Sequence, residues 1–237
     1  MNMHTNLRRI AAITALTLFA AVPIAQAQSK NLAPSFTSRP ADSKLVVVPV
    51  DIELFSLSAG GVPEPKADWT EAATKHFAAG LKTKSNLLGS NVTTIQESDL
   101  DDLAELSALH GSVATSIFVY HMFGAGGSLP TKDGKLLWSL GDAVKPLRDK
   151  TGADYALFTW VRDSYASAER KAAIVVMAVL GVGIAGGSQI GYASLVDLKT
   201  GQIVWFNNLA RGFGDLREEK PAVETVEALL RSFPAPK

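Results

Sequence analysis

The segment IGYASLVDLKTGQIVWFNNLAR (Ile190–Arg211) holds two β-rich runs that are joined by the tetrapeptide LKTG. Gly201 is free to adopt the positive φ that a tight turn between two strands needs. The carboxylate of Asp197 can accept hydrogen bonds from the backbone amides of the same turn. The segment therefore predicts a β-hairpin, with Asp197 and Gly201 as its structural turn residues.

Three earlier segments also have the composition of strands. KLVVVPVDIEL (Lys44–Leu54) is rich in β-branched residues and ends in acids. Asp154–Tyr165 is a longer run of β-branched and aromatic residues, and NVTTIQ (Asn91–Gln96) is a short one. Together with the hairpin, these segments predict the strands of one sheet.

The intervening segments have helical periodicity. Asp68 and Glu71 form an N-terminal capping pattern at the start of the first helix. Ser98 and Asp101 open a second helix, and Pro221 suits the first position of the last one. Each of these helices has an apolar face, which we expect to pack on the sheet.

The predicted order of elements is β-α-β-α-α-β-(apolar segment)-β-β-α, in which the third helix is a short one at about residues 139–150. No repeat of fixed period is visible, and no linker divides residues 44–237. The predicted fold class is therefore α/β, a single domain with a mixed sheet and helices packed on it. This domain contains an apolar, glycine-rich segment at residues 172–191.

The first residues predict an exported protein. Arg8 and Arg9 precede the uncharged run IAAITALTLFAAVPI, and AQA at 25–27 offers small residues for cleavage. This is the pattern of a secretory signal peptide at residues 1–27, cleaved after Ala27, and it predicts a periplasmic location. The chain has no cysteine, so the pattern does not fit a lipoprotein, and disulfides are excluded. Residues 28–43 contain two prolines and four serines, which predicts a flexible tether.

The charge balance gives no reason to expect nucleic acid as a partner. The whole chain of 237 residues has a formal net charge of zero. Cleavage after Ala27 would remove Arg8 and Arg9 and no acid, which leaves a formal charge of −2. Nucleic-acid binding depends on clustered positive charge, and this composition does not supply it.

The stretch GVGIAGG (181–187) contains the glycine spelling of a dinucleotide-binding loop. In such a loop the glycines open a helix, and an acid follows about 20 residues later. Here the glycines lead into a predicted strand, and residues 201–206 contain no acid. We therefore predict no cofactor and interpret these glycines as the end of a helix and a turn into the next strand.

No catalytic or metal-binding residue is predicted. The chain beyond Ala27 keeps His76, His110 and His121, and no H-x-x-x-H spacing occurs. No G-x-S-x-G elbow is present either. A catalytic triad is defined in space rather than in sequence, so a hydrolase with an unrecognised triad stays open as an alternative.

The segment from Ala172 to Val196 has no charged residue. Its first part predicts a helix that is capped by Ser167, apolar on all sides and ended by Gly181. Such a helix requires burial in the core, against another subunit or in lipid. The predicted interaction residues are Ile174, Val175, Met177, Val179, Leu180 and, from the hairpin, Trp205.

The motifs GADYALFTWVRDS and YASLVDLKTGQIVWFN resemble a group of bacterial envelope proteins. This group includes the curli-secretion lipoprotein CsgG, the amino-terminal domain of TolB and the lipoprotein activators of penicillin-binding proteins. The resemblance implies an α/β domain that acts in envelope assembly, transport or regulation by protein contact, and it implies no catalytic residues.

These observations together predict a non-enzymatic periplasmic envelope protein that acts through protein contact or self-association. One alternative is a membrane-associated component of an envelope assembly or transport system that uses residues 172–187. The other alternative is the hydrolase described above.

Overall fold

In the residues that the computed structural model of the protein describes, seven strands form one mixed sheet. The structure describes residues 30–99, 101–124, 127 and 129–237, so the predicted signal peptide at 1–27 lies outside the described residues. The strands are β1 (Leu45–Val47), β2 (Asp51–Leu57), β3 (Pro63–Pro65), β4 (Val92–Thr94), β5 (Tyr155–Ala166), β6 (Gly187–Asp197) and β7 (Ile203–Arg211).

The long strand β5 is the centre of the sheet. On one side, its first residues pair in parallel with β1 and its later residues pair in parallel with β2. β4 lies parallel to β1 on the outer side, and β3 lies antiparallel to β2. On the other side, β5 pairs antiparallel with β6, which pairs antiparallel with β7. The predicted mixed sheet is confirmed.

The predicted strand Lys44–Leu54 is in fact two strands, and the reason is steric. Pro49 lies between β1 and β2, where it has no N–H to donate and restricts the backbone of Val48. β2 then continues to Leu57. Both strands lie along the same side of β5, so residues 48–50 form a break within one column of the sheet.

Six α-helices occur in the described residues: α1 (Ala67–Lys82), α2 (Ser85–Leu88), α3 (Ala104–Ser116), α4 (Lys145–Thr151), α5 (Ala168–Val179) and α6 (Glu219–Leu229). A π-helical turn, Ile117–Phe123, continues α3. The predicted α/β class is confirmed, since helices pack on a mixed sheet.

The predicted helix starts are displaced by two to five residues. Lys66 is the N-cap of α1, and Asp68 lies in the first turn, where its charge suits the helix dipole. α3 begins at Ala104, because a 3₁₀ turn occupies the three residues that start with Asp101. Pro221 is the third residue of α6 rather than the first.

Each face of the sheet carries its own apolar cluster. α1 and α6 lie on one face, where Leu157 and Val161 of β5 belong to the cluster. Ala156 and Phe158 belong to the cluster on the other face, since successive strand residues point in opposite directions. α1 and α6 approach closely, because a Cβ at Gly80 would lie 3.1 Å from the side chain of Val226.

Residues 30–43 lie against the domain, which corrects the predicted flexible tether. Leu32 forms an antiparallel bridge with Trp205, and two further backbone hydrogen bonds join this segment to β7. The segment thus covers part of the outer edge of the sheet. Further along, the buried Arg39 donates hydrogen bonds to the carbonyl oxygens of Leu88 at 2.6 Å and Pro234 at 3.0 Å.

The predicted hairpin is β6 and β7, and its turn has the predicted chemistry. Oδ1 of Asp197 accepts hydrogen bonds from the backbone N–H groups of Lys199 at 2.7 Å and Thr200 at 3.2 Å. Gly201 has φ of 72°, in the left-handed region that favours glycine. A Cβ on Gly201 would lie 2.3 Å from the carbonyl oxygen of Gly141, so the turn also packs against a neighbouring loop.

Candidate functional site

α5 is an insertion between two strands that pair up to their ends. β5 ends at Ala166, β6 begins at Gly187, and Tyr165 pairs directly with Gly187. Residues 167–186 therefore leave and return at the tip of a closed antiparallel pair. The end of β2 and the end of β7 lie at this same end of the sheet.

α5 presents apolar side chains to solvent. Val175, Val176, Val179 and Leu180 are 65, 59, 83 and 69% exposed. With Ala172 they occupy positions i, i+3, i+4, i+7 and i+8, which form one stripe along a helix. We call these five residues the α5 surface. No residue of α5 is buried, so of the three expected placements of this segment the core is excluded.

Both ends of α5 are closed by local hydrogen bonds. The hydroxyl oxygen of Ser167 accepts from the N–H of Arg170 at 3.2 Å, as predicted for the N-cap. At the other end Gly181 has φ of 77° and donates to the carbonyl oxygen of Ala178 at 3.0 Å. Val182 donates to the carbonyl oxygen of Met177 at 2.9 Å, which completes a Schellman motif. The glycine therefore ends the helix, as predicted.

The opposite side of α5 faces the protein. Ile174 and Met177 are half-buried there, so these two predicted interaction residues are not on the α5 surface. Arg170 holds the base of the helix, since its Nε donates to the carbonyl oxygen of Ala185 at 2.9 Å and its Nη1 to that of Ala59 at 3.4 Å. Val176 belongs to the exposed stripe and was missed, although its spacing from Ala172 indicates it.

A cavity of about 290 Å³ lies between α5 and the loop that follows β7. Ile174 lines it from the helix, and Phe213 lines it from the loop. Phe213 is 72% exposed and was not among the predicted interaction residues. The sequence signal is a single aromatic residue between Gly212 and Gly214, since neither adjacent residue has a side chain that could cover it.

Asp163 also lines this cavity and is buried. Its carboxylate accepts hydrogen bonds from the hydroxyl of Tyr165 and from Nε2 of Gln189, the latter at 2.6 Å. Burial raises the pKa of Asp163, because desolvation disfavours the charged form, while the hydrogen bonds oppose this effect. Oε1 of Gln189 in turn accepts from Arg211 at 2.9 Å and from Thr225 at 3.1 Å. The network joins strand ends to α6 and so supports the site from within.

The prediction that Trp205 is an interaction residue is wrong. Its side chain is fully buried, and its ring lies edge-on to Phe233 with 5.1 Å between the ring centroids. The segment around Leu32 covers the edge of β7 at this point. A large aromatic residue at this position therefore stabilises the core and is not available to a partner.

A serine lies next to a histidine, as the hydrolase alternative requires. Nε2 of His110 is 2.6 Å from Oγ of Ser194. However, Ser194 is fully buried, so no substrate can reach its hydroxyl. Burial also lowers the pKa of His110 to about 3, which makes the imidazole a weak base at neutral pH. The pair, with the ring of His110 stacked on Phe158 at 4.1 Å, is a buried structural contact.

The other two described histidines do not lie with His110 in a shared catalytic or metal site. His76 is half-buried on α1, and Nε2 of His121 is 2.8 Å from the carbonyl oxygen of Lys30. Within the part of the chain that the structure describes, no three histidine or carboxylate side chains are grouped so as to hold a metal ion. Nor does any described helix combine the length and the apolar character needed to cross a bilayer.

No protein-family model matches the chain, and no curated protein is significantly similar to it in sequence. Among solved structures, the PelC dodecamer from Paraburkholderia phytofirmans is similar, with 14% identity and a TM-score of 0.39 over 85% of this chain and 96% of that chain. The LpoB C-terminal domain from Salmonella enterica is 13% identical, with a TM-score of 0.28 over 76% and 87% of the two chains.

The lipoprotein GNA1162 from Neisseria meningitidis is also similar, with 13% identity and a TM-score of 0.28 over 71% of this chain and 79% of that chain. Likenesses with TM-scores below 0.5 carry no inference about activity. The resemblance to CsgG and TolB stays a prediction.

Proposed function

We propose that the protein acts without catalysis, by protein contact in the bacterial envelope, and that the α5 surface is its docking element. The observation that carries this proposal is the exposure of four large aliphatic side chains in one helical stripe. Burying one such side chain contributes about 1.5–3 kcal/mol, so leaving four in water is costly for a monomer. Contiguous exposed apolar surface of this kind marks interaction sites. The envelope location rests on the predicted signal peptide.

The spacing of the stripe indicates the shape of the partner. Side chains at i, i+3, i+4, i+7 and i+8 suit a helix that lies in an apolar groove or against another helix. The chain has no charged residue from Ala172 to Val196, so the complementary surface is expected to be uncharged as well. Both a second copy of this chain and another envelope protein meet this description.

α5 is held in place before it binds. Ser167 and Gly181 close its two ends, and Arg170 joins its base to Ala59 and Ala185. A preformed helix loses little conformational entropy on binding, which supports affinity without a large contact area. Fixed ends of this kind are expected for a helix that is preformed for binding.

The membrane alternative is favoured by one observation and opposed by another. Arg170 and Lys171 lie at the base of an exposed apolar helix, as at the surface of a bilayer. However, the N–H groups of Gly183, Ile184 and Ala185 have no partner within the described residues. In hydrocarbon each such group costs several kcal/mol, whereas in water or at a polar rim it is solvated. We therefore favour a protein surface.

The test compares two aspartates on the same helix. Val176→Asp places a charge in the centre of the α5 surface, and Ala178→Asp places one at an exposed position outside it. We expect Val176→Asp to weaken association at least tenfold and Ala178→Asp to leave it unchanged. Light scattering on the protein without residues 1–27 measures self-association, and a photo-crosslinking residue at either position reports partners in cells.

The proposal fails if the protein is monomeric and the crosslinker at residue 176 captures no protein that the crosslinker at residue 178 does not also capture. It also fails if Val176→Asp associates like the wild type. The membrane alternative would instead be supported if the wild-type protein stays in the membrane pellet after osmotic shock and the Val176→Asp variant does not. Equal melting temperatures of the two variants would show that both are folded.

A further inference from the structure

A groove of about 860 Å³ opens at the break between β1 and β2. The outer column of the sheet holds only β4 beside β1 and β3 beside β2, each three residues long. No described strand therefore lies outside residues 48–50. α1 forms one wall of the groove, and β4 with the residues that follow it forms the other.

The groove has a mainly apolar lining and a cation at its border, and its polar lining residues are Thr74, Ser85, Ser90, Thr94, Gln96 and Ser98. Its apolar lining comes from both walls and from the break itself: Val48, Ala78, Leu81, Leu88, Val92 and Ile95. Lys82, at the end of α1, is the charged residue among the described lining residues. Its side chain is exposed, and its ammonium group has no ion pair or hydrogen bond within the described parts of the chain. The lining thus includes no described carboxylate that would neutralise it.

We propose that this groove binds a free fatty acid, with the acyl chain on the apolar lining and the carboxylate beside Lys82. The volume lies within the range of small-molecule sites, about 300–1,000 Å³. An apolar interior selects a hydrocarbon ligand over a polar one, and an unpaired ammonium group at the border selects an anionic head. The site shares no residue with the α5 surface, so it does not depend on the proposed docking function.

The first test needs no variant. The protein is titrated with octanoate, decanoate and dodecanoate below their micelle concentrations, and binding is measured by calorimetry. Each added methylene is expected to tighten binding about fourfold, until the groove is filled, with one site per chain. Affinity that does not depend on chain length, or binding of many molecules per chain, would overturn the proposal.

The second test uses neighbouring alanines on α1. Ala78 and Ala79 are both exposed, but only Ala78 lines the groove. Ala78→Trp fills the groove and is expected to abolish dodecanoate binding, while Ala79→Trp keeps it. Loss of binding in both variants, or in neither, while their melting temperatures match the wild type, would contradict the assignment of the site.

The third test separates the head from the chain. Lys82→Gln is expected to weaken dodecanoate binding about tenfold and to leave dodecanol binding unchanged. Lys75→Gln removes another exposed lysine of α1, which does not line the groove, and is expected to change neither. An equal loss for acid and alcohol would refute the role of Lys82. Tighter binding of a lysophospholipid than of the free acid of equal chain length would refute the choice of ligand.

Discussion

The guanidinium Nε of Arg170 donates a hydrogen bond to the carbonyl oxygen of Ala185 at 2.9 Å, which joins the first turn of α5 to the end of its return loop. α5 has no fully buried residue, so besides the half-buried Ile174 and Met177 its position depends on this bond and on the contact with Ala59, while the two caps fix its ends. A helix outside the core is thus positioned largely by polar contacts at its base.

Replacing Arg170 with methionine is expected to loosen α5 without unfolding the sheet. A hydrogen bond from a charged donor contributes about 1.5–3 kcal/mol, so hydrogen exchange within α5 should accelerate at least tenfold. Lys171→Met removes an exposed neighbouring charge and should leave the exchange unchanged. Wild-type protection in Arg170→Met, measured by mass spectrometry, would show that the caps and the half-buried side chains hold the helix without Arg170.

Two glycines of the glycine-rich segment 172–191 are expected to differ in their tolerance to alanine. A Cβ on Gly191 would lie 2.7 Å from the carbonyl oxygen of Trp160, so Gly191→Ala must displace strand backbone. We expect a loss of about 1–3 kcal/mol in unfolding free energy. A Cβ on Gly183 would have no atom within 4 Å, so Gly183→Ala should leave the unfolding free energy unchanged. Urea unfolding decides, and similar losses at both positions would contradict this account.

The protein is expected to become less stable as the pH decreases, because His110 is buried in its neutral form. Its pKa of about 3 in the folded state lies below its ordinary value of 6.5, so the unfolded chain takes up the proton more readily between these values. The stability contribution is complete above pH 6.5 and is lost as the pH falls, by at most about 1.4 kcal/mol per pH unit.

Urea unfolding between pH 7 and 4 measures this slope. His110→Gln can still hydrogen-bond to Ser194 but does not titrate, and it should flatten the curve. His76→Gln, at a half-buried position, is the control and should not flatten it. An unchanged slope in His110→Gln would mean that other groups determine the acid sensitivity.

Arg39 is expected to be essential for anchoring residues 30–43. Its side chain is buried and bonds to two carbonyl groups that are distant in sequence, at Leu88 and Pro234. Arg39→Ala would leave both carbonyls unsatisfied, and each costs about 1–3 kcal/mol. Urea unfolding should show a loss of at least about 2 kcal/mol. Arg231→Ala, at an exposed arginine, should change the stability little, and equal effects would contradict the anchoring role.

Local chemistry explains which elements could be predicted. The hairpin turn at Asp197 and Gly201 and the two caps of α5 depend on residues adjacent in sequence, and their geometry is as expected. β3 was not predicted, because two of its three residues are prolines, which strands tolerate only at an edge. The anchoring of residues 30–43 was missed because its partners, Leu88, Trp205 and Pro234, are distant in sequence.

The part of the candidate site that depends on residues adjacent in sequence could also be predicted. The apolar helix follows from composition and capping, but its exposure depends on the pairing of β5 with β6 up to Tyr165 and Gly187. That pairing places the helix outside the layers that cover the sheet. Composition alone could not separate Val176, which faces solvent, from Ile174, which faces the protein.

The direct pairing of Tyr165 with Gly187 has a consequence for how this chain can change. The strand ends are already at hairpin distance, so a two-residue turn could close them in place of residues 166–186. The proposed docking element and the sheet are thereby formed by separate stretches of chain. A lineage could exchange the helix for another insert, lengthen it or lose it, and thus acquire a new partner while the underlying domain keeps its architecture.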